Sequence, residues 1–148
     1  MPIYELAEAK GLPILFHMGD NRYTYSHPMR LMNVMKRFPK LICIAAHLGG
    51  YQAWPEALTA SLDGVPYLSH ENMYIDTSSA LPFLSPEDAV KLIRKHGVSR
   101  TLFGTDSPMW DEKKEFERFM RLPLTDGEKE MILSTNAKNF FANHYKNA

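Results

Sequence analysis

The chain has 148 residues, and 17 Lys+Arg balance 17 Asp+Glu to a formal net charge of zero. Hydrophobic residues at 45% and charged residues at 23% exclude a disordered chain, and the length suits one domain over residues 1–148. Neutrality argues against an electrostatic footprint on nucleic acid or on an anionic membrane surface.

The N-terminus Met1-Pro2-Ile3-Tyr4-Glu5 has no basic region leading into an apolar stretch. No run approaches the ~20 apolar residues that a membrane span needs. Cys43 is the one cysteine, so no intrachain disulfide forms. A reducing, cytoplasmic setting is the expectation.

Residues 2–10 read as a helix, opened by Pro2 and stopped by Gly11. Leu12 to His17 is an apolar run of strand length, and the polar stretch Met18-Gly19-Asp20-Asn21-Arg22 follows it. Residues 28–37 form the next helix, capped by Ser26 or His27 and opened by Pro28. Met29, Leu31, Met32 and Met35 recur there at helical spacing and are expected in the core. Leu41 to Ala46 is a buried strand, with Cys43 as a small hydrophobe, ending at His47 and Leu48-Gly49-Gly50.

A helix over about 51–61 comes next, then a third strand, Met73 to Asp76, running into Thr77-Ser78-Ser79. Asp76 is expected to cap or brace that loop. Ser85-Pro86-Glu87-Asp88 starts a helix that stops at His96-Gly97. Arg100 to Phe103 is the fourth strand, ending in Gly104-Thr105-Asp106-Ser107-Pro108. Helices over roughly 112–120, 126–134 and 136–144 close the chain, with Asp111 to Glu115 as a solvated helix start.

Strands alternating with helices imply βαβ units and a parallel sheet covered by helices. His17, His47, Asp76 and Asp106 each end one of the four strands. That edge of a parallel α/β fold is where ligands bind, because the loops after the strands converge there. Imidazole and carboxylate are ligands for zinc, manganese or iron(II). A metal so held acidifies water, and a neighbouring carboxylate can carry the proton. Arg22, Tyr23 and Tyr25 lie on the loop after His17, and Trp110 follows the Asp106 loop; Arg22 and Trp110 are candidate substrate contacts. No Gly-x-Gly-x-x-Gly, phosphate-binding Gly-x-x-x-x-Gly-Lys, His-Glu-x-x-His or Gly-x-Ser-x-Gly is present, which disfavours a nucleotide enzyme or a serine hydrolase.

Four motifs stand in order. They are Leu12-Pro13-Ile14-Leu15-Phe16-His17-Met18-Gly19-Asp20, Ala46-His47-Leu48-Gly49-Gly50, Tyr74-Ile75-Asp76-Thr77-Ser78 and Leu102-Phe103-Gly104-Thr105-Asp106-Ser107-Pro108. With the tail from Leu124 to Phe140 they resemble the amidohydrolase-related family of metal-dependent hydrolases, the branch that includes aminocarboxymuconate-semialdehyde decarboxylase. The resemblance covers nearly the whole chain. It implies the C-terminal half of a (β/α)8 barrel, a partial TIM-barrel-like architecture of four parallel strands with flanking helices. It also implies that His17 is a metal ligand, that His47 binds or orients water or substrate, and that Asp106 is both metal ligand and proton shuttle. The implied cofactor is a divalent metal, zinc first, with manganese or iron as alternatives.

The implied function is hydrolysis of an amide, ester or lactone carbonyl by metal-activated water; decarboxylation by the same site, or a non-catalytic remnant or subunit, are the alternatives. The family's first strand supplies a His-x-His pair, and no two histidines here are separated by one residue. A closed barrel usually needs ~250 residues. The expectation is therefore a half that pairs with a copy of itself or with a separately encoded N-terminal half, or that repacks into an open sheet, with a small molecule as substrate. The expected geometry brings the imidazoles of His17 and His47 and the carboxylate of Asp106 to one point at one rim of the sheet.

Overall fold

The computed structural model describes residues 2–145. Its elements in order are α1 (Pro2–Lys10), β1 (Ile14–Phe16), α2 (Pro28–Arg37), β2 (Cys43–Ala45), α3 (Trp54–Thr59), β3 (Ser61–Leu62), β4 (Val65–Pro66), β5 (Met73–Asp76), α4 (Pro86–His96), β6 (Thr101–Leu102), α5 (Glu112–Met120), α6 (Asp126–Glu130) and α7 (Asn136–His144). Four strands form one parallel sheet in the order β1-β2-β5-β6. Parallel neighbours need a crossover, and α2, α3 and α4 supply it. This is the expected four-stranded part of a TIM-barrel-like fold. Among the described residues no helix is long and apolar enough to cross a membrane.

Side chains alternate across the sheet. Cys43, Ala45, Met73, Ile75 and Thr101 turn to one face and are buried there. The opposite face carries Leu15, Ile44 and Tyr74, in register across three strands, and Leu102, paired with Asp76; Leu15 is 65% exposed. Burial of Cys43 pushes its thiol up to about 12, which fits a packing role.

Helix ends follow local chemistry. Ser85 and Asp111 accept from the backbone N–H groups of Asp88 and Lys114, and Thr125 and Glu128 form a reciprocal capping box. His27 caps α2 through its ring and pairs with Glu56.

Four expectations need correction. Met29 is 41% exposed while Met32 and Met35 are buried, because its angular position on α2 lies off the stripe that Leu31, Met32 and Met35 share. Glu115 is buried and bonds Arg118, since it stands one turn before the buried Phe119 on the inward face of α5. The segment 61–66 is a hairpin, turning at Asp63 and Gly64 with φ of 52° and 79°. Asp-Gly is the sequence signal for such a turn, because both central residues need positive φ. The helix begun at Asp126 runs on to His144 through a π-helical turn over Met131–Thr135. That turn leaves the Ile132 carbonyl free to accept the Phe103 N–H at 3.0 Å, just past β6. The Asn136 amide then donates to the carbonyls of Val98 and Thr101 at 2.7 and 2.8 Å.

Candidate functional site

All four strand-end residues singled out in the sequence line one cleft of about 450 Å³, with Leu15, Ala46, Ser78 and Gly104 completing its wall. The cleft lies at the C-terminal ends of the strands, on the face that carries Leu15.

His47 is held in a tight local fold. His47, Leu48 and Gly49 have φ of 62°, 49° and 78°, three left-handed residues in succession. Non-glycine residues adopt that region only when the surroundings stabilise it. Here the Trp54 indole donates to the His47 carbonyl at 2.8 Å, and the Leu48 N–H donates to the Asp76 carbonyl at 2.7 Å. The His47 N–H donates to Asp76 Oδ1 at 3.1 Å.

Asp76 also accepts from the Ser78 N–H at 3.0 Å and from the Ser78 hydroxyl. It braces its loop, as expected, and the neighbouring strand end as well. Burial raises its carboxyl above the ordinary carboxylate range, against the hydrogen bonds, which lower it.

The imidazoles form a directed chain. His47 Nδ1 lies 2.9 Å from the Ser78 carbonyl oxygen, which only accepts, so Nδ1 carries the proton. His47 Nε2 meets His17 Nδ1 at 3.0 Å. With a neutral His47 ring, the His17 Nδ1–H is the donor across that gap and His17 Nε2 keeps its lone pair.

Asp106 stands across the cleft at φ 59°. Its Oδ2 accepts from the Ser79 hydroxyl at 2.6 Å, and Ser79 Oγ in turn accepts from the Trp110 indole at 2.8 Å. Trp110 is thereby linked to Asp106 through Ser79. Arg22 does not line the cleft; its guanidinium lies 3.7 Å from Asp20 and 5.6 Å from the Tyr23 ring, with 73% of the side chain exposed.

Sequence reasoning missed Ser78 and Ser79 as polar partners of His47 and Asp106. It also missed Tyr51 and Phe83, which join Trp110 in a row of ring contacts. Tyr51 is 6.2 Å from His47, Phe83 is 5.4 Å from Tyr51, and Trp110 is 5.8 Å from Phe83, centroid to centroid. Serine after a strand is too common to carry a signal, and the rings come from three different loops.

Two imidazoles and a carboxylate on one cleft are donor types that suit a divalent ion. Among the described residues, no three His, Cys, Asp or Glu side chains form a group that could hold one. His17 Nδ1 and His47 Nε2 face each other at 3.0 Å, and Asp106 Oδ2 accepts from Ser79. The donor types fit a metal, and the described residues supply an incomplete set.

The model of one family, described as amidohydrolase, matches residues 1–142. No curated protein matches. Among solved structures, the chain is similar to an uncharacterized TIM-barrel protein from Bordetella bronchiseptica, at 26% identity and TM-score 0.78 over 98% of this chain and 50% of that one. It is also similar to a dihydroxybenzoic acid decarboxylase from Polaromonas, solved with manganese and the inhibitor 2-nitroresorcinol, at 20% identity and TM-score 0.70 over 95% of this chain and 53% of that one. A third likeness is to an amidohydrolase from Bifidobacterium longum, at 17% identity and TM-score 0.68, covering 94% and 53%. The chain thus spans about half the length of the solved structures it matches.

Proposed function

The chain belongs to the amidohydrolase family, and on that premise we propose that it forms part of a metal-dependent enzyme that uses water to cleave an amide, ester or lactone carbonyl. The observation that carries this reading is the single cleft lined by His17, His47 and Asp106. His17 and Asp106 are the residues that would hold the ion, zinc or manganese. When bound, a divalent ion supplies Lewis acidity and water of lowered pKa.

The chain's own residues do the rest. Ser78 fixes the tautomer of His47, and His47 orients the His17 ring. The Asp106 carboxylate takes the proton from water and passes it to the leaving group. The Ser79 hydroxyl fixes the direction of that carboxylate. Leu15, exposed on the cleft face, together with the outer edge of β1, is where a second copy or a separate N-terminal half would dock and bring the remaining donors.

A second reading is decarboxylation of an unsaturated or aromatic acid. It is favoured by the Trp110 ring beside Asp106 and by the likeness to a dihydroxybenzoic acid decarboxylase. Carbon dioxide release from hydroxybenzoates, against acid release from lactones and esters, separates the two reactions.

Calorimetric titration with zinc and with manganese tests the shared premise. His17→Ala and Asp106→Ala should each weaken binding at least about tenfold, the cost of one lost ligand or its support. Binding that is unchanged in both variants, or absent from the wild-type protein, overturns the reading.

A further inference from the structure

Away from the cleft, two adjoining cavities of about 430 and 220 Å³ lie between α1 and α2 and share Tyr4, Tyr25, Arg30 and Val34. Together they form one groove along α2. Its charge is one-sided. In a chain of zero net charge, α2 carries Arg30, Lys36 and Arg37 and no acidic residue. Among the described residues, no Asp or Glu lines either cavity.

Arg30, Asn33 and Arg37 stand at i, i+3 and i+7, on one stripe of the helix, and all three line the larger cavity. Elsewhere the cations are matched: Lys36 pairs with Asp63, Arg94 with Glu128 and Arg118 with Glu115. Among the described residues, neither Arg30 nor Arg37 has a carboxylate partner. Arg30 is held through Nε, which donates to the Thr24 carbonyl at 2.6 Å, so its terminal nitrogens are left for a ligand. The Arg37 guanidinium lies 5.5 Å from the Phe38 ring. The rest of the wall is apolar and braced, with the Tyr4 ring packed 5.9 Å from Phe16 and 5.8 Å from Phe38.

Two unmatched guanidiniums on one cavity favour a ligand with two negative charges. Their backbones are ~10.5 Å apart along the helix axis, so one anion between them is within reach of both side chains. A phosphate monoester carries about −1.5 to −2 at pH 7, and its oxygens suit the guanidinium fork. A monocarboxylate leaves half of the positive charge unmatched. We infer that the α1–α2 groove binds a small organic phosphate monoester, with the phosphate between Arg30 and Arg37 and the organic body against Tyr4, Tyr25 and Val34. His17 also lines the smaller cavity, but neither Asp106 nor a metal has a part in this site.

Calorimetric titration with phenyl phosphate tests it, with a chelator present so that no metal in the cleft takes the phosphate. Saturable binding is expected, weakened about tenfold by Arg30→Gln and by Arg37→Gln, the loss of one charge-assisted contact. His47→Asn, which alters the cleft and not the groove, should leave the affinity unchanged. Circular dichroism confirms that the variants are folded. Arg37→Gln keeps the test decisive if Arg30→Gln, which loses the Thr24 bond, does not fold. Unchanged affinity in Arg37→Gln, or no binding by the wild-type chain, overturns the site. Loss of binding in His47→Asn overturns it too, by placing the phosphate in the cleft. Inorganic phosphate that binds as tightly as phenyl phosphate overturns the part given to the organic body.

Discussion

Asp76 Oδ1 accepts the backbone N–H of His47 at 3.1 Å, so a buried carboxylate from one strand end fixes the left-handed turn at the next. The same oxygen accepts from the Ser78 N–H and hydroxyl. Asp76→Ala strands these donors in a buried site and should cost about 2–4 kcal/mol in urea unfolding. Asp76→Asn keeps an acceptor oxygen and should cost less. Equal stability of the alanine variant and wild type would show that the turn holds without the carboxylate.

His96 gives a pH signature remote from the cleft. Its ring is 1% exposed, Nδ1 donates to the Leu68 carbonyl at 2.8 Å, and burial pushes its pKa down to about 4. The ring is neutral in the folded chain and ordinary, near 6.5, in the unfolded one. The unfolded state therefore takes up the proton first. The stability that the neutral ring contributes is complete above pH ~6.5 and is lost as pH falls toward 4, to the extent of about 3 kcal/mol. Urea midpoints measured over that window should fall more steeply for wild type than for His96→Asn, which keeps a donor for Leu68; parallel curves would refute this.

Gly19 joins two site loops. It bridges Tyr51 with φ of 78°, and a Cβ there would meet the Tyr51 carbonyl oxygen at 1.9 Å. Gly19→Ala should destabilise by about 3 kcal/mol or more, combining backbone strain with the clash. Thermal unfolding reads it, and an unshifted Tm would mean that the two loops are free to separate.

Cys43, wholly buried and with its thiol raised to about 12, should be inert to a disulfide reagent at pH 8 in the folded chain. Labelling should appear only as urea unfolds the protein. Prompt reaction in buffer would place the thiol at the surface.

Much of the fold was legible because each long element carries its own punctuation. Pro28, Ser85-Pro86 and Asp111 mark helix starts that the structure reproduces, and the apolar runs before His17, His47, Asp76 and Asp106 gave all four sheet strands. The hairpin at 61–66 escaped because two-residue strands are too short to show alternation. The burial of Glu115 and the exposure of Met29 escaped because helical spacing fixes relative positions on a helix and leaves open which stripe meets the core. At the cleft, the metal-type side chains were readable from their strand-end positions. The hydroxyls of Ser78 and Ser79, 31 and 27 residues from their partners, were not, since their pairing arises only when separate loops fold together.

The cleft residues come from four strand ends and the loops that follow them, while Cys43, Ala45, Met73 and Ile75 pack the opposite face of the sheet. Provided the bracing contacts of Asp76 and Gly19 are kept, a loop can therefore be rewritten without disturbing the layer that keeps the chain folded. Descendants of such a scaffold can be retooled for new reactions one loop at a time, inheriting the same foundation.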